Sequence, residues 1–188
     1  MKFSINQQDL QKSLSYCQGV IEKRSTLPIL SNVLLDASNG KLTITATDLD
    51  IIFIHQISNI EILEEGKTTT SSSIIYDIVR KFSSGKKINF SNPSENKLQL
   101  ESEKSVFNLN CINASEFPLT DENFNENEFI IKSKELLKLL NKCKFSVSND
   151  ETRHYLSGIY LHQTEIEIKF ILQPQLLTVT ECQSQNLN

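Results

Sequence analysis

The chain begins to repeat itself and stops before the repeat is complete. Phe3, Ile5, Leu10, Leu14, Cys17, Leu30, Ser31, Val33 and Leu35 recur as Phe129, Ile131, Leu136, Leu140, Cys143, Leu156, Ser157, Ile159 and Leu161, every pair 126 positions apart without a gap. A period longer than the roughly 20–50 residues of solenoids indicates duplicated domains, and a full second copy would extend to about residue 252. The chain has 188 residues, so we expect one whole domain, 1–125, part of a second, 126–172, and a tail, 173–188.

Within the first copy, Lys2 to Ile5 reads as a short strand. A helix follows, with Leu10, Leu14, Cys17 and Ile21 on one stripe, Asn6 as N-cap and Asp9 near the positive helix end. Apolar runs at 32–36 and 41–47 flank Ser38-Asn39-Gly40, a hairpin signal, and further strands are expected at 51–57 and 67–70. A second helix carries Ile74, Ile75, Ile78, Val79 and Phe82 and is expected to stop at Ser83-Ser84-Gly85. Strands return at 87–91, 97–102 and 105–110. The pattern predicts an α+β domain, two amphipathic helices on one face of a mostly antiparallel sheet. Residues 114–127, with Pro118 and several carboxylates, read as a linker.

The second copy opens with an expected strand at Phe129 to Lys132. Its helix runs from Ser133, taken as N-cap, to about Phe145, with Leu136, Leu137, Leu140 and Cys143 as its apolar face. Lys134, Lys138 and Lys142 stand at i, i+4 and i+8 on another face. Such spacing ordinarily marks a solvated helix face. Read functionally, it is a row of point charges suited to a polyanion, giving contacts indifferent to base sequence.

Other chemistries find little support. His55, His154 and His162 form no H-E-x-x-H, no G-x-S-x-G occurs, and the five glycines build no phosphate loop. Asp48 and Asp50 are expected to serve a turn rather than a cation. Cys17, Cys111, Cys143 and Cys182 include no C-x-x-C and read as core thiols in a reducing compartment, so neither a metal nor a cofactor is expected. No leader and no apolar run of about 18 residues appears. We expect a cytoplasmic protein with no membrane partner. The formal net charge of −4 does not choose a partner, because charges of each sign can occupy different faces.

Lys23 and Arg24 precede Thr26-Leu27-Pro28, a loop offering two cations to an anion and stiffened by proline. Met1-Lys2-Phe3, Arg24-x-Thr26-Leu27-Pro28-Ile29-Leu30, Ala46-Thr47-Asp48-Leu49, Glu116-Phe117-Pro118 and Arg153-x-Tyr155-Leu156-x-Gly158 together resemble the bacterial DNA polymerase III beta subunit, the replication sliding clamp, over residues 1 to about 170. The resemblance implies the DNA-clamp fold, with three equivalent domains per chain and two chains closing head to tail into a ring. It also implies helices lining a channel for double-stranded DNA, and DNA polymerase III and the clamp loader as partners. Such a subunit is not an enzyme; it confers processivity.

Carried over by position, the resemblance places Lys23, Arg24, Lys134, Lys138 and Lys142 at DNA. Ser73 stands where relatives carry a cation, and Asp150 where they carry a channel-side Gln, which implies weaker DNA contact here. Ile74, Ile78, Phe82, Phe107 and Leu109 match the first-domain surface that meets the third domain of a partner chain, although each also suits a core. Arg153, Tyr155 and Leu156 match one wall of a pocket for short peptides of polymerases and repair proteins.

Past Phe170 the family pattern and the first copy both call for T-A-T-D followed by H-R, but the chain reads Gln-Pro-Gln-Leu-Leu-Thr-Val-Thr-Glu-Cys-Gln-Ser from Gln173. One permitted coding string for that segment, read two bases later, gives T-T-A-T-D-S-H-R-M-S-V. We therefore expect a frameshift near Gln173 and a tail whose apolar pattern was not selected against this core. Two further expectations stand beside a working clamp: a fragment that caps intact clamps, and a decayed gene product.

Overall fold

The computed structural model describes residues 1–21, 27–119, 131–148, 152, 158–163 and 168–172. The chain divides into two compact units, Met1–Glu122 and Asn123–Asn188.

Unit 1 begins with β1 (Lys2–Asn6) and α1 (Gln7–Cys17). Asn6 caps the helix by accepting the Gln8 N–H at 2.9 Å, and Asp9 sits in the first turn, so the positive end meets both an acceptor and a carboxylate. Leu10, Leu14 and Cys17 are fully buried on one stripe. The helix ends at Cys17, so Ile21 reaches the core from beyond it. A short 3-10 turn, Pro28–Ser31, leads into β2 (Asn32–Ser38), paired with β3 (Lys41–Thr47). Asn39 and Gly40 both take positive φ, 51° and 70°, as a two-residue hairpin of this hand requires.

β4 (Ile52–Ile57), β5 (Ile60–Glu64) and β6 (Gly66–Ser71) follow; β5 was not among the expected strands. Helix α2 (Ser72–Val79) buries Ile75 and Val79. It ends earlier than Ser83: after Arg80 the backbone tightens, with Phe82 N–H donating to the Val79 carbonyl at 3.3 Å. That turn still returns the Phe82 ring to the core. β7 (Lys87–Ser94), β8 (Lys97–Ser102) and β9 (Ser105–Ile112) complete the unit.

The nine strands run β4-β3-β2-β6-β9-β8-β7-β1-β5, and every pairing is antiparallel. The join between β6 and β9 is short, Thr69↔Ile112 and Thr70↔Cys111 only. Buried threonines reinforce it: Thr69 Oγ1 donates to the Ile112 carbonyl at 2.7 Å, and Thr70 Oγ1 to that of Asn110 at 3.3 Å. Each hydroxyl thereby adds a side-chain bond to the backbone across the short join. Both halves of the sheet and both helices feed one core, in which Phe3 and Phe90 stack at 4.6 Å across the β1–β7 pair. The α+β reading and the two-helix arrangement agree with this architecture.

Unit 2 contains α3 (Ser133–Cys143), a 3-10 turn (Lys144–Ser146), β10 (Ile159–Gln163) and β11 (Ile168–Leu172). Helix α3 starts 126 residues after α1 and ends 126 after it. The strand register repeats as well: Leu34↔Thr45 and Leu35↔Ile44 in β2–β3 become Tyr160↔Ile171 and Leu161↔Phe170 in β10–β11. Three details differ from expectation. Lys132, not Ser133, occupies the N-cap, because the backbone is already helical at Ser133. Ile131 and Lys132, the described part of the expected Phe129–Lys132 strand, lie in no strand. The buried face of α3 is Leu139 and Cys143 with Leu136 half-buried, whereas Leu137 and Leu140 are exposed. In unit 1 the corresponding α1 face is covered by α2, β1, β3 and β4; among the described residues of unit 2, α3 packs on β11. Residues 173–188 lie outside the described residues.

Candidate nucleic-acid and docking surfaces

Helix α3 presents Lys134, Lys138 and Lys142, all exposed, along an edge spanning about 12 Å at the helical rise of roughly 1.5 Å per residue. Exposed Lys144 follows just past the helix end. Leu139 and Cys143 bury the side that anchors the helix. A row of ammonium groups on a helix held from behind can follow a phosphate backbone but cannot read bases. Lys23 and Arg24, and likewise Asp150, Arg153, Tyr155 and Leu156, lie outside the described residues.

The equivalent edge of α1 carries Gln8, Lys12 and Tyr16, also exposed. The Tyr16 ring sits 5.9 Å from Phe53 and 6.4 Å from His55, both projecting from β4. His55 Nδ1 lies 2.9 Å from Ser13 Oγ, which itself donates to the Asp9 carbonyl. The hydroxyl has one proton, so His55 Nδ1 must be the donor in that contact. Tyr16 is thus fixed on its inner side and remains 48% exposed.

A second surface joins α2 to β9. Ile74 is 52% exposed and Phe107 38%. Phe107 meets Phe82 edge to face at 5.7 Å, linking β9 to the turn after α2. Leu109 is buried, and Ile78 and Phe82 pack against the core, so of the five residues singled out from sequence Ile74 and Phe107 are the ones presented to solvent. Beside them a groove of about 400 Å³ is lined by Asn32, Thr70, Ser71, Ile74 and residues 108–112. β9 pairs with β8 along its length but with β6 only at Cys111 and Ile112. The rest of that strand edge has no ladder partner among the described residues, which suits it to accept a further strand. Sequence reasoning missed the open edge of β9. The polar alternation of Asn108 and Asn110 with Phe107, Leu109 and Cys111 marks which face turns outward, but the missing neighbour is a matter of topology.

Asp48 does turn chemistry: its Oδ1 accepts the N–H groups of Asp50 at 3.0 Å and Ile51 at 2.7 Å. Among the described residues no cluster of three His, Cys, Asp or Glu is placed to hold a metal. Burial pushes the Cys17 thiol up to about 12 and raises that of Cys111, which makes both poor nucleophiles. Among the described residues no helix is long and apolar enough to cross a membrane.

Comparison with known proteins gives a consistent picture. Residues 1–121 match the family model for the DNA polymerase III beta subunit, N-terminal domain. The chain is 35% identical over 164 residues to the beta sliding clamp of Caulobacter vibrioides strain NA1000 / CB15N, covering 86% of this chain and 44% of that protein. It is 33% identical over 167 residues to that of Escherichia coli K12, covering 89% and 45%. Among solved structures, the Pseudomonas aeruginosa DNA polymerase III subunit beta superimposes with a TM-score of 0.87 at 28% identity, covering 93% of this chain and 47% of that one. The C. crescentus beta sliding clamp gives 0.84 at 35% identity, with 90% and 46% covered. The chain thus spans less than half the length of the curated relatives it matches.

Proposed function

The chain belongs to the DNA polymerase III beta subunit family, and on that premise we propose that it is part of a DNA sliding clamp, a processivity factor whose intact form encloses duplex DNA and tethers a polymerase. The supporting observation is the family match over residues 1–121, reinforced by a helix and a strand pair that return 126 residues later in the same register. No bond is made or broken in this role. The ring holds DNA by enclosure, and phosphate contacts that ignore sequence allow sliding.

In this reading residues 1–125 form the first clamp domain and 126–172 the beginning of the second. Lys134, Lys138 and Lys142, with Lys23 and Arg24, face DNA. Ile74, Phe107 and the open edge of β9 receive the third domain of a partner chain. Arg153, Tyr155 and Leu156 form one wall of the peptide pocket for DNA polymerase III, and the clamp loader opens the ring. Retention on circular and linearised plasmid tests the proposal together with native mass. A clamp gives the mass of a closed ring and stays on the circle while sliding off the linear form; equal retention on both refutes it.

A second reading is favoured by the complete α2–β9 surface of unit 1. A chain presenting that surface can occupy the mating face of a full-length clamp and cap it. A monomer that docks on such a clamp without retention on DNA supports this reading.

A further inference from the structure

The two end strands of the nine-stranded sheet, β5 and β4, differ in how their free edges are protected. β5 carries the exposed carboxylates Glu61 and Glu64, with Glu61 held by Lys87 at 2.7 Å, and its pairing with β1 shifts register at Lys2/Phe3. Charges and bulges of this kind keep a free edge from pairing with another chain. β4 has neither. It pairs with β3 alone among the described residues, in unbroken register from Ile52 to Ile57. Residues 51–58 read Ile-Ile-Phe-Ile-His-Gln-Ile-Ser, without Lys, Arg, Asp, Glu, Pro or Gly. A short uncharged run of strand-forming residues is the kind that pairs with copies of itself. We propose that β4 is a self-association surface, pairing antiparallel with β4 of a second copy of this chain about a two-fold axis at Ile54.

Along β4, Phe53 and Ile57 join the core and His55 meets Ser13 of α1, whereas Ile52 and Ile54 turn outward and are exposed, Ile54 to 44%. Two such strands must set outward residues against outward ones, because a slip of one residue would exchange the faces. An axis at Ile54 meets that condition. It sets Ile54 against Ile54, Ile52 against Gln56 and Phe53 against His55 of the second copy. Asp50 then falls opposite Ser58, so no like charges meet. The next permitted register, with its axis at His55, would oppose two imidazoles. Apolar surface continues into the turn before the strand, where Leu49 and Ile51 are both exposed. Leu49 holds φ at 84°, a left-handed conformation that a bulky residue seldom adopts. Thr47 Oγ1 accepts its N–H at 2.9 Å and Asp48 Oδ1 closes the turn behind it. Backbone strain maintained in this way is characteristic of a segment that serves contact. Each copy has one β4 and the pairing is two-fold, so association closes at the dimer.

Sedimentation velocity of the full chain over a concentration series tests the association, and cysteine cross-linking tests the register. The original chain is expected to shift from monomer toward twice its mass as concentration rises. Ile54→Lys places like charges directly opposite each other and is expected to weaken association about tenfold or more. In a Cys182→Ser background, Ile54→Cys is expected to give a disulfide-linked dimer on mild oxidation. Residues directly opposite in an antiparallel pair have Cα atoms about 4.5–5.5 Å apart, within disulfide reach. Ile52→Cys is expected to give none, because the two copies of that residue would stand about 14 Å apart along the strands. A chain that stays monomeric at every concentration, association unchanged by Ile54→Lys, or cross-linking by Ile52→Cys equal to that by Ile54→Cys overturns the proposal. Species that grow beyond the dimer and are weakened by both Ile54→Lys and Ile74→Ser also overturn it, in favour of head-to-tail pairing of β4 with the open edge of β9. Where Ile54→Lys lowers the melting temperature enough to unfold the chain, the cysteine pair decides.

Discussion

Replacing Ile74 by serine separates folding from docking. Ile74 is half exposed, and full burial of an isoleucine contributes about 1.5–3 kcal/mol, so its share of stability is about 1 kcal/mol. For a unit the size of Met1–Glu122 that corresponds to a melting-temperature drop of about 3–6 °C. Phe107 provides the contrast. It buries more than half of its surface and meets Phe82 at 5.7 Å, so Phe107→Ala should cost about 2–3 kcal/mol, scaled from the roughly 3–5 kcal/mol of a fully buried Phe. Docking is measured on an immobilised full-length beta sliding clamp, with thermal melts followed by circular dichroism. Ile74→Ser should weaken docking by about tenfold, some 1.4 kcal/mol, while the fold persists. Melting lowered by more than about 10 °C would place Ile74 in the core, and unchanged docking would remove the α2–β9 surface from the interface.

Other expectations follow from the core. Because burial raises the Cys17 thiol from its ordinary value of 9.0, kept in the unfolded chain, to about 12 in the folded one, its stabilisation is complete below pH 9 and is lost as pH rises toward 12, at no more than about 1.4 kcal/mol per pH unit. Urea titrations at pH 9 and pH 10 should show a smaller decline for Cys17→Ala than for the original chain. A double-mutant cycle with Phe3→Leu and Phe90→Leu should return a coupling of about 0.5–1.5 kcal/mol for their 4.6 Å stack; additivity would contradict the contact. A Cβ placed on Gly66 would approach Met1 Cβ to 2.9 Å, so Gly66→Ala should destabilise by about 1–3 kcal/mol in denaturant melts.

Several elements were legible in the sequence because a local rule and the tertiary environment agree. The Leu10, Leu14 and Cys17 stripe is helical in spacing and fully buried, and Asn39-Gly40 supplies the two positive-φ residues its hairpin requires. β5 was missed because its alternation is imperfect: Ile60 and Ile62 turn inward, but exposed Leu63 sits where a polar residue would mark the outer face. On α3 four leucines leave the stripe ambiguous by a rotation, and neighbouring elements decide which is covered. The same limit applies to the docking surface. Ile74, Ile78, Phe82 and Leu109 are alike in character, and which of them is covered depends on the tertiary packing of α2 and β9 on the core rather than on any local pattern. The lysine row of α3 was legible because charge spacing on a helix is a local property.

The place of β1 between β7 and the edge strand β5 has a bearing on how the molecule is made. Lys2–Ile5 is flanked on one side by residues 60–64 and on the other by 87–91. β1 therefore leaves the ribosome well before either partner, β5 and, more than eighty residues later, β7. At about 5–20 residues per second the wait for β7 lasts roughly 4–17 seconds, during which Phe3 and Ile5 have at most the edge strand β5 to pair with. Hairpin β2–β3 can close in microseconds as it emerges. Assembly on the ribosome is thus expected to begin at the β2–β3 hairpin, with β1 flanked on both sides only once β7 has emerged and the nascent chain exposed to chaperones and proteases until then.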